Sequence, residues 1–234
     1  LTTPNDSLVK FNQKIANRYK AGLGLAYLAD YTGKEHVDRS VKEFYINYRL
    51  KPSTAADFKF IVVENSDKDI NWFFDEYVST TQKIDFKIKK VRKMEDSLVV
   101  ILKNKEGTNV PISLFGIKND TVVSNYWFTD ITDQQAFRIP KNGEDRLVLN
   151  YDQTIPEFNQ RDNWKSLNGF FSSNKKLKFQ FFKDAEDPYY NQVFYVPVLG
   201  FNKYDGLSPG MRLHNKTLLE RPFVFDLAPT YAPN

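Results

Sequence analysis

The spacing of hydrophobic residues changes once along this chain, near Gln82. Before that residue they recur every three or four positions, which is the period of an amphipathic helix. After it, apolar Ile84, Phe86 and Ile88 alternate with lysine and aspartate, which is the period of a strand with one buried face. Helices that all precede the strands favour the α+β class. We therefore predict an N-terminal helical bundle region, an antiparallel β-sandwich and a β-rich C-terminal extension.

Four helices are predicted in the first part of the chain. The first follows the capping types Asn5, Asp6 and Ser7 and stops at Gly33. Its apolar stripe consists of Leu8, Phe11, Ile15, Tyr19, Leu23 and Tyr27. The second covers about 34–49, the third opens at a capping box formed by Thr54 and Asp57, and the fourth follows Ser66 or Asp67.

Six strands are predicted between Gln82 and Tyr151, and their regular spacing indicates a β-sandwich. The first carries a bulge at Lys89-Lys90, where the alternation is interrupted. The others are 98–102, 110–114, 121–128, 135–139 and 146–151. Residues 153–174 are polar and loop-like, and strand patterns return at 177–182, 193–201, 211–214 and 223–227. The predicted domains are 1–82, 83–165 and 166–234.

Composition excludes several classes of protein. The net charge is +4, from 33 basic and 29 acidic residues, and no segment carries the concentrated basic patch of a nucleic-acid surface. The chain has no cysteine, which removes disulfides, thiolate metal sites and cysteine nucleophiles. Its longest near-apolar run, 21–29, is much shorter than the roughly 20 residues of a membrane-spanning helix.

The chain does not contain a complete active site of a familiar kind. A zinc motif on a helix needs two histidines four residues apart, whereas this chain has only His36 and His214. Gly22 and Gly24 lie inside a helical pattern rather than after a strand, so they do not form a phosphate-binding loop; small residues there favour close helix packing. No Gly-x-Ser-x-Gly elbow is present. We expect no metal and no cofactor in this chain.

The order of several motifs resembles the downstream part of the catalytic domain in aminopeptidase N-like zinc metallopeptidases, the gluzincins. The motifs are Tyr19-Lys20-Ala21-Gly22, the turn at 28–33, the amphipathic helix 37–48, Asp57-Phe58 and the Trp-Phe-Phe segment at 72–74. Residues 83 to about 163 are similar to the β-sandwich of that family and end in a Pro-Glu-Phe-Asn loop at 156–159.

The resemblance implies a catalytic role for Tyr19. In the family, the tyrosine of Tyr-x-x-Gly donates a hydrogen bond to the tetrahedral oxyanion formed during zinc-dependent peptide hydrolysis. The zinc ligands and the general-base glutamate of the family lie upstream of this tyrosine. We therefore expect a fragment of a peptidase, trimmed or completed by another chain, that is inactive alone, with zinc and peptide substrate bound by the full-length parent.

The tail shows a weaker resemblance, carried by Tyr204-Asp205-Gly206, His214-Asn215 and Ala228-Pro229. It is similar to connectors that lead into outer-membrane barrels in some Gram-negative proteins, although an ordinary soluble β-module fits equally well. The resemblance implies a cell-envelope location and association with the outer membrane.

A second hypothesis is a non-catalytic scaffold module whose sandwich binds a protein or a glycan. In that case Tyr19 is an ordinary core aromatic, and we expect it to be buried among apolar neighbours.

Overall fold

The computed structural model describes residues 7–168, 175–204 and 206–232. The chain forms two compact units, Leu1–Ser173 and Asn174–Asn234. The first unit contains helices followed by two antiparallel sheets, and the second contains a further sheet. This arrangement confirms the predicted α+β class.

The first helix runs without a break and ends at Gly33, as predicted. It comprises α1 (Lys10–Lys14), a π-helix called π1 (Ile15–Lys20) and α2 (Ala21–Thr32). Gly33 has φ 109°, a conformation that favours glycine. Val9 occupies the N-cap position, so the helix does not start at Ser7, while Asn5 and Asp6 lie outside the described residues.

Three shorter helical elements complete this region: α3 (Lys34–Tyr48), α4 (Ala55–Asn65) and a second π-helix, π2 (Phe73–Val78). The predicted capping box is present, since the Thr54 hydroxyl accepts from the Asp57 amide at 3.3 Å and the Asp57 carboxylate accepts from the Thr54 amide at 2.7 Å. The predicted cap at Ser66 or Asp67 is wrong. The helical turn before π2 starts at Asn71, whose amide donates to Asp69 Oδ1 at 2.9 Å.

Two antiparallel sheets form the sandwich, with strand orders β1-β2-β5 and β4-β3-β6-β7. The strands are β1 (Phe86–Lys93), β2 (Ser97–Asn104), β3 (Ile112–Lys118), β4 (Thr121–Phe128), β5 (Gln134–Pro140), β6 (Arg146–Leu149) and β7 (Trp164–Ser166). The pairing of β1 with β2 shifts between Ile88 and Lys90, which confirms the predicted bulge. Strand β7 lies in the segment predicted to be a loop.

One hydrophobic core joins the helices to both sheets. Leu28 and Phe74 from the helices belong to the same buried cluster as Phe86, Leu102 and Leu114 from the strands. Burial of this apolar surface is the main favourable contribution to folding of the first unit. It also fixes which face of the first helix is turned inward.

The second unit is a four-stranded sheet of order β11-β10-β9-β8. Its strands are β8 (Lys176–Phe181), β9 (Tyr190–Asn202), β10 (Gly206–His214) and β11 (Asp226–Leu227). Strand β11 is shorter than the predicted strand at 223–227. Among the described residues of this unit, Phe194 is the single buried hydrophobic side chain. None of the helices in the described ranges is long and apolar enough to cross a membrane.

Candidate functional site

Tyr19 lies on π1 and is 68% exposed. It is therefore not a core aromatic of this chain, and the burial that the scaffold hypothesis expects for Tyr19 is not observed. Its hydroxyl has no hydrogen-bond partner within the described ranges. An exposed phenol without an internal partner is free to donate to a group outside this chain. The catalytic role of Tyr19 stays a prediction.

The opposite side of the same helix is firmly anchored. Tyr77 on π2 donates its hydroxyl to the Lys20 carbonyl oxygen at 2.7 Å, and the Lys20 ammonium lies 5.5 Å from the centroid of the Tyr77 ring. A Cβ on Gly24 would clash with Cε1 of Tyr77, so a glycine is needed where the ring packs. These contacts fix the backbone that carries Tyr19.

The side of the helix around Tyr19 is open and largely apolar. We call Tyr19, Gly22, Leu23 and Ala26 the Tyr19 face, because they recur at three- and four-residue spacing and are all exposed. A Cβ on Gly22 would meet nothing within 4 Å. The predicted close packing therefore applies to Gly24, whereas Gly22 leaves a bare strip of backbone beside the tyrosine.

The predicted apolar stripe of the first helix is divided between two faces. Phe11, Ile15 and Leu23 are 72%, 44% and 47% exposed, while Tyr27 is fully buried. Within α2, a step of four residues advances about 40° beyond one full turn, so Leu23 and Tyr27 lie on different parts of the helix surface. The exposed half continues the apolar surface on which Tyr19 lies.

Neither histidine contributes to a metal site within the described residues. His36 Nδ1 lies 2.6 Å from the Asn65 carbonyl oxygen, between α3 and α4. His214 is buried and stacks on Phe194, and its Nδ1 accepts from the Lys216 amide at 3.2 Å. Burial lowers the pKa of His214, which favours its neutral form. In the parts of the chain described, no three His, Asp or Glu side chains are placed to hold a metal ion.

The Pro-Glu-Phe-Asn loop contains a half-buried glutamate, Glu157, that sequence patterns do not identify. Glu157 accepts from the Phe86 amide at 3.1 Å and from the side-chain amides of Asn150 at 3.1 Å and Asn163 at 2.6 Å. Burial raises the pKa of Glu157 to about 8, although these three donors favour the ionised form. This residue joins the loop to β1 and β6 and lies apart from the Tyr19 face in sequence.

No family model matches the chain, and no curated protein matches it. The chain is similar to a solved structure, aminopeptidase A of Legionella pneumophila in complex with aspartic acid, with 15% identity and a TM-score of 0.49. The match covers 59% of this chain and spans 17% of that enzyme.

Proposed function

We propose that this chain is part of a zinc-dependent aminopeptidase and that Tyr19 stabilises the transition state of peptide hydrolysis. The observation that carries the proposal is the exposure of Tyr19: an unpartnered phenol projects from a helix whose other side is fixed by Tyr77. When water attacks a peptide carbonyl, the oxygen becomes an oxyanion, and a positioned O–H donor stabilises it. Removal of one such donor typically costs about 3 kcal/mol of barrier lowering.

The residues described in this chain do not fit a zinc ion, so no step through the metal is assigned to them. We propose that the zinc ligands and the general base belong to another part of the complete enzyme. The Tyr19 face supports this, because its apolar, exposed side chains favour contact with a further protein surface. The chain alone is then inactive.

The test is the kinetics of Tyr19→Phe in the full-length protein, with chromogenic aminoacyl substrates. We expect kcat to fall by about 100-fold with little change in KM, because the lost hydrogen bond forms in the transition state. Tyr45→Phe is the matched control, since Tyr45 on α3 is 63% exposed, and its kinetics should equal those of the parent.

Unchanged turnover of Tyr19→Phe would remove the proposed role. If the full-length protein binds no zinc, the peptidase assignment fails as a whole. The alternative, a non-catalytic scaffold whose sandwich holds a protein or glycan, would then be favoured.

We also propose that the C-terminal unit associates with a lipid bilayer, in the outer membrane of a Gram-negative cell envelope. Paired positions of β8, β9 and β10 place apolar side chains on one face of the sheet. Its exposed members include Leu177, Phe179, Phe181, Leu199, Phe201, Leu207 and Met211. The opposite face is mixed and carries polar Gln192, Ser208 and Arg212 together with Phe194, Val196 and Val198. A two-sided sheet of this kind favours contact with a bilayer through its apolar face.

Vesicle flotation tests this association, with phosphatidylethanolamine–phosphatidylglycerol vesicles and the intact chain. We expect the chain to float with the vesicles. The double variant Phe179→Ser, Phe201→Ser should bind at least about tenfold more weakly, because each substitution reduces the apolar surface that contacts lipid. Val123→Ser, on β4 of the sandwich, should bind as the parent does. Equal flotation of both variants, or no flotation of the parent, would contradict the proposal.

A further inference from the structure

A cavity of about 260 Å³ lies between the helical region and the sandwich of the first unit. Its walls come from α2, from π2 and the segment that enters it, and from the loops before β3 and after β4. Four of its lining side chains are carboxylates and none of its lining residues is basic; the four are Asp69, Asp75, Glu76 and Asp130. The two aromatic lining residues are Tyr31 and Trp72.

Tyr31, which is 7% exposed, is one of the lining residues of this cavity. Its ring is held edge-on against Trp72 at 5.8 Å and against Trp127 at 5.2 Å. Burial, followed by the charges of Asp69 and Asp130, raises the pKa of the phenol. Both of these carboxylates line the cavity together with Tyr31. No residue in the described ranges hydrogen-bonds to the Tyr31 hydroxyl.

The negative charge of the cavity is only partly compensated by lysines. Lys59 pairs with Asp75 at 3.0 Å, and the Lys68 ammonium lies 4.7 Å from the centroid of the Tyr31 ring while donating to the Tyr31 carbonyl oxygen. The carboxylates of Glu76 and Asp130 have no hydrogen bond or ion pair within the parts of the chain described. Among the described residues, Asp75 is the one of the four carboxylates that is paired with a cation, and Glu76 and Asp130 have no hydrogen-bond partner either, so both are left for a ligand.

We propose that this cavity binds an organic cation, namely an alkylammonium or guanidinium group. The carboxylates supply the charge, the Tyr31 oxygen accepts a hydrogen bond from the cation, and the ring of Trp72 attracts it through its π-system. The volume accommodates the end of one basic side chain or of a polyamine. The carboxylates are not grouped closely enough to hold a metal ion among the described residues. The proposal uses no residue of the Tyr19 face and does not depend on peptidase activity.

Calorimetric titration of the intact chain tests the proposal with four probes. Acetyl-lysine and acetyl-arginine methylamides present the two cations on a peptide, and spermidine presents a free polyamine. Acetyl-citrulline methylamide is the neutral match of the arginine probe. We expect at least one cationic probe to bind at least tenfold more tightly than the neutral probe. If the lysine or arginine probe binds more tightly than spermidine, the cation that this cavity binds belongs to a peptide. If spermidine binds more tightly, the ligand is a polyamine.

Four variants locate the binding site. Asp130→Asn and Glu76→Gln should each weaken cation binding by about fivefold, the loss expected for a partly solvated ion pair. Tyr31→Phe should weaken it by about threefold, because only the hydroxyl is removed. Glu64→Gln, an exposed neutralisation on α4, should leave binding unchanged. Equal affinity for citrulline, no binding of any cation, or equal effects of Glu64→Gln and Asp130→Asn would overturn the proposal.

Discussion

At the scale of single residues, Glu157 links pH to stability. Its pKa is about 8 in the folded chain, compared with an ordinary value of 4.5. The native state therefore keeps a proton that the unfolded chain releases, and stability falls as pH rises from about 4.5 to 8. Asp152, whose pKa is raised to about 6 by partial desolvation of its carboxyl and by the neighbouring Asp30, acts in the same direction over a narrower range.

We expect Glu157→Gln to reduce this fall, because glutamine does not ionise. Chemical denaturation measures the free energy of unfolding at pH 5 and at pH 8. The decrease from pH 5 to pH 8 should be smaller in the variant than in the parent, by an amount on the order of 3 kcal/mol. At pH 5 the variant should be slightly less stable, since its amide replaces an oxygen that accepts from backbone or asparagine N–H groups. Glu95→Gln, in the exposed turn after β1, should keep the full drop. The same pH dependence in Glu157→Gln and in the parent would show that another group is responsible.

At the scale of helices and strands, the periodicity of hydrophobic residues predicts most elements. Helix starts and short strands that periodicity does not predict are determined by tertiary contacts. The capping box of Thr54 and Asp57 is local, so its sequence pattern is sufficient. Three residues of the segment before π2 have side chains that can cap a helix: Ser66, Asp67 and Asp69. Because the helical turn starts at Asn71, Asp69 is the one that caps it. Strand β7 has three residues without alternation, and it forms because Trp164 pairs with Val148 of β6.

The same distinction applies to the candidate sites. Tyr19 could be found from a short motif, because its spacing to Gly22 is local. The exposure of Tyr19 could not be predicted from the sequence. An apolar stripe with four-residue spacing does not reveal which of its residues face the core and which face away from it. The cavity around Tyr31 joins α2 to three other segments. No linear pattern predicts that Asp69 and Asp130 act on one phenol.

At the scale of the whole molecule, the two units differ in their hydrophobic cores. The first unit holds the common cluster of helices and sheets, whereas Phe194 is the single buried hydrophobic residue among those described in the second. A sheet of this size with so little buried apolar surface contributes little stability of its own. Its apolar face is exposed instead, which agrees with the proposed association with lipid.

Hydrogen exchange measured by mass spectrometry should reveal this difference. In aqueous buffer, we expect backbone amides of β9 and β10 to exchange at least about 100-fold faster than those of β2 and β3, because strands without a buried core open at a lower free-energy cost. Vesicles should slow exchange in β9 and β10 and leave β2 and β3 unchanged, since lipid would cover the exposed apolar face. The double variant Phe179→Ser, Phe201→Ser should lose this protection. Equal protection of β2 and β9 in buffer would mean that the second unit is stabilised by interactions other than apolar burial.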